Sequence, residues 1–374
     1  MNQRMWQSVA NSLIHGFIDS GVISYRYMIK VAEHHLEGHP DKICDQIADA
    51  ILDEFVRRDE KTRADISVFG GHGAVMISGE VMSKADFDCA EIAKRVYRDI
   101  GYEDEVEPFV HLGAPPSAWQ EGVSKNAPID RALCTGFAAK ATREFLSPAN
   151  VFASLLAEKI DEARRHDANM NWLRPDGSVW VGMDGNRVTS VGIFCQHTEG
   201  ALVQQVYGGV LDRIIRPVIG NVDGVKLFVN SGGSFVEGGF KKTVGQSGSA
   251  IASDLYGGLL PLGMGGLSGK DGSHPLRAGT YMARHIAKSL VVSGASMQVF
   301  VKMLYAPGRV DPVIFEVVGD SGIDLTEVAK KNFDLHIESI VEKFGLRKPI
   351  FRRYSASGPI GKVGAPWEEV SAIS

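Results

Sequence analysis

His39-Pro40-Asp41-Lys42 sets an imidazole, a carboxylate and an ammonium side by side, just ahead of a helical run. Proline suits a first helical turn, where its missing N–H costs nothing. Gly38, one residue before the histidine, allows a close backbone approach. A helix N-terminus offers free N–H groups and the positive end of a dipole, which together suit a phosphate. His39 would donate a hydrogen bond to that group. Asp41 would hold Mg²⁺, a hard cation that takes oxygen ligands. On spacing alone, a capped helix start with a solvated acid is the plainer reading.

Other residues could join such a site. The glycine-rich run Tyr256–Lys270, YGGLLPLGMGGLSGK, could fold its backbone around an anion, with Lys270 adding charge. It is not a Walker A loop, because GxxxxGK followed by Ser or Thr is absent; a surface loop accounts for it equally well. Glu80 in ISGEV and Asp130 in APIDRALCTGF could each take the amine of a small substrate, although a lone carboxylate is more often simply solvated. Phe235 in NSGGSFVEGG could stack on a purine, although an aromatic on a strand more often belongs to a core.

The elements that must hold these residues repeat. Pro40–Arg58 reads as a helix with Ile43, Ile47, Ile51 and Phe55 on one stripe. Strands near Asp65–Phe69 and Ala74–Val81 follow, then a helix near Lys84–Ile100 with Ser83 as its cap. A second helix near Val151–Arg165 leads to strands at Ser178–Met183 and Val188–Cys195 around the turn Asp184-Gly185-Asn186, and a helix near Ala201–Val218 closes the unit. A third helix near Ala278–Val292 precedes strands at Met297–Tyr305 and Val313–Val318, with a closing helix from about Thr326. Helix–hairpin–helix thus occurs three times. Each hairpin alternates, so its helices cover one face, and the other faces must meet each other or a second subunit. An α+β protein of three similar subdomains is expected, divided at 27–123, 124–235 and 236–370 after an extension at 1–26.

Composition agrees with a folded chain of more than one core: 374 residues, 44% apolar and 23% charged. A formal net charge of -5 argues against nucleic acid as the main partner and leaves room only for a local basic pocket. Cys44, Cys89, Cys134 and Cys195 form no CxxC pair, so neither a zinc site nor a disulfide framework is indicated, and buried reduced thiols are expected. There is no signal pattern and no apolar run near the ~18 residues of a membrane span, which predicts a cytoplasmic protein without a membrane partner.

Taken together, the motifs resemble one family. EGHPDKICDQIADAILD is similar to the opening signature of S-adenosylmethionine synthetases, and WLRPDG, CQHTE, NSGGSFVEGG, DLYGG, SGKD, KKNFDL and RKPIFRR…PWE follow in that family's order over Val31–Glu368. The resemblance implies a pseudo-threefold α+β fold and a homodimer with sites between subunits, often a dimer of dimers. It implies joining methionine to ATP, the sulfur displacing triphosphate from the ribose 5′ carbon, with the triphosphate then cleaved. By the same resemblance His39 lies beside the triphosphate, Asp41 is a magnesium ligand, and Glu80 and Asp130 are carboxylates on the methionine side. Asp176 of LRPD lies near the nucleoside, Phe235 beside the adenine, and Lys270 is the lysine of SGKD.

The chain also departs from the family pattern. Ser178 stands where the family has a catalytic lysine, Ser249-Ala250 where it has Arg-Lys, and His274 where it has a second lysine after SGKD. Leu276 and Thr243 replace aspartates, so the resemblance leaves one magnesium position intact, at Asp41, and a second without its carboxylate. Ser67 replaces a potassium-binding glutamate, Pro115 the glutamine of a mobile loop, and Ile129–Ala132 the usual GDQG. A triphosphate carries about four charges, and each charge-assisted contact is worth about 1.5–3 kcal/mol. Losing four cations predicts a site that favours adenosine or S-adenosylmethionine over ATP, unless Lys241-Lys242 in the altered loop compensate. Three functions follow: a divergent methionine adenosyltransferase; a paralogue that binds adenosine or S-adenosylmethionine and does other chemistry; or a non-catalytic regulatory subunit. The lost phosphate ligands favour the second and third, the retained His39, Asp41, Glu80, Asp130 and Lys270 favour an operating pocket over a scaffold, and the first is the reading taken.

Overall fold

A computed structural model describes residues 30–115, 128–263 and 265–373. The expected extension at 1–26, most of the loop after Pro115, and Met264 in the glycine-rich run lie outside the described residues.

The chain opens with strand β1 (Lys30–His35), helix α1 (Pro40–Arg58), the hairpin β2 (Arg63–Gly71) and β3 (Ala74–Met82), helix α2 (Cys89–Ile100) and strand β4 (Glu107–Gly113). Next come β5 (Ala132–Ala139), α3 (Pro148–His166) and the hairpin β6 (Leu173–Asp184) and β7 (Arg187–His197). Helix α4 (Val203–Val210) continues through a π-helical turn, Leu211–Ile215, into α5 (Arg216–Ile219), followed by β8 (Lys226–Val229). The last third holds the short turn α6 (Gly239–Lys242), β9 (Gly245–Gln246), α7 (Ile251–Tyr256), α8 (Pro275–Val292), the hairpin β10 (Gln298–Tyr305) and β11 (Ile314–Gly319), and helix α9 (Thr326–Asn332).

The three long helices begin alike. His39, Ser147 and His274 each precede a proline in the first turn, with cap dihedrals of -60/139, -63/137 and -63/126. Proline's fixed φ suits that place. Each helix covers one hairpin, which gives the α+β fold of three subdomains. One expected cap is corrected. Ser83 hydrogen-bonds Thr62 and the Ala85 N–H instead, and α2 starts five residues later, where the Asp88 carboxylate accepts from the Ala90 and Glu91 N–H groups.

The sheets do not follow chain order. β1 joins the central hairpin, in the order β1-β6-β7-β8, and β5 joins the last, in the order β11-β10-β5. The first sheet runs β4-β3-β2-β9. Two cores result. One is shared by the first and last thirds, from Ile43, Ile47 and Ile51 to Val299, Val301 and Trp367. The other lies in the central third, around Val179, Val181, Val191 and Ile193, with Ala32 and Leu36 contributed by the N-terminal strand and the turn after it.

Helix α1 is more than the amphipathic stripe its isoleucines suggest. Asp41, Asp45, Asp49 and Asp53 recur every four residues and so share a face. Each accepts backbone N–H groups from far along the chain: Gln246 and Gly248 of one segment, Gly269, and Phe351 with Arg352. Buried polar groups must find such partners, and this ladder ties three distant segments to one helix. Among the described residues no helix is long and apolar enough to cross a membrane.

Candidate active site

A cavity of about 350 Å³ opens between the start of α1 and the central sheet, lined by His39, Asp176, Ser178, Phe194, Phe235 and Lys242, with Asn230 and Gly232–Ser234 at its edge. Gly38 brings the two sides together: a Cβ there would lie 2.4 Å from the Pro175 Cβ, so only glycine lets the EGHP turn meet the LRPD strand.

His39 caps α1. Its Nδ1 accepts the Asp41 N–H at 3.3 Å, so the neutral ring carries its proton on Nε2 and can donate. The His35 ring stacks on it at 3.9 Å and 5°. Burial above all, helped by the charges of Lys242 and Lys42, lowers its pKa to about 4. Asp41 beside it accepts the Gln246 N–H through Oδ1, and burial raises its pKa. Lys42 does not reach the cavity. It is buried between Asp45 and Asp254, with Nζ at 3.0 and 2.5 Å from their oxygens.

Phe235 is held by the CQHTE segment of β7. The His197 N–H donates to the Phe235 carbonyl at 2.9 Å, and the Phe235 N–H donates back to His197 Nε2 at 3.1 Å. Gln196 donates to the Val236 carbonyl and accepts the Asp176 N–H. The Asn230 side chain bridges both backbone groups of Cys195, which fixes the turn ahead of Phe235. Asp176 lines the cavity, but its Oδ2 accepts the Gly239 N–H at 2.8 Å, so it also anchors α6. Lys242, at the end of α6, puts Nζ 3.7 Å from the Phe235 ring centroid. Lys241, its neighbour, points to Glu237 at 3.5 Å. Ala250 is buried and has no group with which to reach an anion.

Glu80, Asp130 and Lys270 do not line this cavity. They gather elsewhere, around Asp65 of β2. Lys270 Nζ lies 2.7 Å from Asp65 Oδ1, and Glu80 stands directly across from Asp65 in the β2–β3 register. His274 Nε2 lies 3.8 Å from Asp65 Oδ2 and 3.9 Å from Asp130 Oδ2. The ring is 1% exposed. Its Nδ1 accepts the Leu276 N–H at 3.2 Å, which again puts the proton on Nε2, and that atom has no hydrogen-bond partner. Burial, then the charge of Lys270, lowers its pKa to about 4. Asp65 thus pairs with the Lys270 ammonium, with Glu80 across the hairpin from it and a neutral His274 between Asp65 and Asp130. The glycine-rich run is no loose surface loop at its end. Gly269, at φ +80, donates to Asp49 and accepts from Ile66, and a Cβ there would lie 1.8 Å from the Ile66 carbonyl.

The sequence does not point to Asp65 at all, and it points to Lys242 only as half of the pair Lys241-Lys242. Asp65 carries no motif; only the outward phase of its strand, opposite to Ala64 and Ile66, sets it apart. Nothing in the sequence separates Lys242 from Lys241; the geometry of α6 does. Among the described residues no group of three or more His, Cys, Asp or Glu side chains could hold a metal ion.

Family models described as the N-terminal, central and C-terminal domains of S-adenosylmethionine synthetase match residues 27–112, 125–235 and 237–369. The S-adenosylmethionine synthase of Aquifex aeolicus is 32% identical over 93% of this chain and 98% of its own length. That of Salinibacter ruber is 32% identical over 90% of this chain and 94% of its own.

Proposed function

The chain belongs to the S-adenosylmethionine synthetase family, and from that premise we propose that it is a divergent methionine adenosyltransferase, forming S-adenosylmethionine from ATP and methionine. The observation that carries this reading is the convergence of the His39 Nε2–H, the Lys242 ammonium and the Phe235 ring on one cavity. In the reaction a methionine sulfur lone pair forms the bond to the ribose 5′ carbon while the carbon–oxygen bond breaks. The triphosphate leaves with the electron pair, and the sulfur becomes a sulfonium. No proton has to move in that step, so the protein's work is alignment and stabilisation of charge on the leaving group. Phe235 would stack on the purine. Neutral His39 would donate to a phosphate oxygen without needing protonation; the Asp41 N–H at the start of α1 is already taken by its Nδ1, so the imidazole stands in for the helix end.

Magnesium is typically held by one or two carboxylates together with substrate phosphates. Asp41 fits as that carboxylate, and an ion there would neutralise part of the triphosphate's charge. A second ion has Leu276 where the resemblance calls for a carboxylate, and Ser67 offers none to potassium.

Glu80, Asp130 and Lys270 are assigned to the amino-acid side of the reaction in a homodimer, with a dimer of dimers as the larger form. Phe69, Met76 and Phe109 stand side by side across β2, β3 and β4, each about half exposed, on the face that also carries Asp65 and Glu80. A second copy packed on that face would bury the apolar row and bring the carboxylates of one chain toward the cavity of the other. We assign the enzyme to the cytoplasm, where its four free, buried cysteines suit a reducing compartment.

The test is product analysis. Pure protein with ATP, Mg²⁺ and methionine should yield S-adenosylmethionine by mass spectrometry. Consumption of S-adenosylmethionine supplied alone, with none formed from ATP, would mean other chemistry in the same pocket. No turnover in either mixture would leave a regulatory subunit.

A further inference from the structure

We propose that Lys242 is the residue that receives the nucleotide's phosphates in this chain, and that in the free protein it rests on the ring the purine must occupy. The proposal builds on the reading of the cavity as a nucleotide site. Among the residues lining that cavity, Lys242 carries the one full positive charge; His39 is the other basic side chain, and it faces the cavity as a neutral donor.

The backbone of Lys242 is fixed while its arm is free. The Gly239 N–H is held by Asp176, the Thr243 N–H returns to the Gly239 carbonyl, and the buried Phe240 stacks on Tyr97 at 5.5 Å. That single turn sends the two lysines apart. Lys241 lies outside, 64% exposed, against Glu237, whereas Lys242 enters the cavity with Nζ 3.7 Å from the Phe235 centroid. An ammonium over an aromatic face is attracted to it, but that contact and a stacked purine compete for the same ring. A ligand with both a purine and phosphates displaces the ammonium and offers it a stronger, oppositely charged partner in the same step. A nucleoside without phosphates displaces it and offers nothing in return. The ring and lysine together therefore select for phosphorylated purines, which reverses the preference expected from the missing cations.

Calorimetric titration with adenosine and with a non-hydrolysable ATP analogue tests this in the full-length protein, its Lys242→Met, Lys242→Gln and Lys242→Arg variants, and Lys241→Met as control. The wild type should bind the analogue at least roughly tenfold tighter than adenosine. Lys242→Met and Lys242→Gln should each lose about tenfold toward the analogue, about 1.4 kcal/mol, while adenosine binds as well or better. Lys242→Arg should keep most of the preference, and Lys241→Met all of it. Equal losses toward both ligands, no loss toward the analogue, or the same loss in Lys241→Met would overturn the assignment of Lys242 while leaving the nucleotide site standing. A wild type that binds neither ligand would overturn both.

Discussion

His39 and His274 use the same device for different surroundings. Each gives Nδ1 to the backbone N–H two residues on, and that bond leaves Nε2 as a donor facing outward from a helix start. A donor in that tautomer cannot also be a metal ligand through Nε2 while it caps the helix. On the reading above, His39→Ala should reduce turnover at least roughly tenfold, the factor expected from losing about 1.4 kcal/mol of transition-state stabilisation. Wild-type turnover in a folded His39→Ala protein would make the residue a cap and nothing more. Lys270→Ala should have a similar effect, because it would leave Asp65 without its cation beside Glu80. The pH behaviour of His39 can be followed directly. Its pKa in the fold is about 4, against 6.5 in the unfolded chain, with burial the main cause. The unfolded state therefore binds more protons between those values. The stability that His39 contributes is complete above about 6.5 and is lost as pH falls through that window toward 4. Its imidazole resonance in NMR should stay constant from pH 8 to near 5; a midpoint near 6.5 would show a solvated ring. Lys242→Met should raise that midpoint, since the charge of Lys242 is the second cause of the depression.

Helix α1 carries the strongest prediction about stability. Asp49 pairs with Arg277 at 2.6 Å while also accepting the Gly269 N–H, and both side chains are about 2–3% exposed. Removing one partner of a buried pair strands the other charge, at a cost of about 3–5 kcal/mol. Asp49→Ala should lower the melting temperature sharply and loosen the segment before α8; a melt within a degree or two of wild type would show that the ladder is ornamental. Much of this element was legible. The bounds of α1, its isoleucine stripe and the close approach at Gly38 all follow from local rules, because a long helix with a proline start and a four-residue period declares itself. The hairpins were legible for the same reason, since each closes on itself within a short stretch of chain. β1, β4, β5, β8 and β9 were not read, because their partners lie outside their own neighbourhood and nothing local marks them. The aspartates of α1 could be seen, but not the N–H groups they meet, which arrive from residues more than two hundred positions away. At the site, the motifs point to His39, Asp176 and Phe235, and all three line one cavity. The pairing of Lys270 with Asp65 was invisible, because it depends on where two strands' worth of backbone come to rest.

For the whole molecule, the exposed face of the first sheet is the decisive surface. A row of Phe69, Met76 and Phe109 in open water is the kind of apolar patch that marks an interface. Met76→Glu should convert a homodimer into monomers in light scattering and abolish turnover if the site is shared; a wild-type protein that is already monomeric at micromolar concentration would refute the shared site. The crossing of strands between sheets has a different consequence, one that concerns the ribosome. Lys30 of β1 pairs with Met183, and Ala139 of β5 pairs with Gln298. At a synthesis rate of 5–20 residues per second, each early strand waits roughly 8–30 s for its partner to emerge. During that wait it presents unpaired N–H and C=O groups beside apolar side chains. The three similar units therefore cannot mature one after another as the chain is made. A nascent chain stopped after one or two of them is an open sheet edge in need of a chaperone, and a gene cut at those boundaries would yield fragments that aggregate.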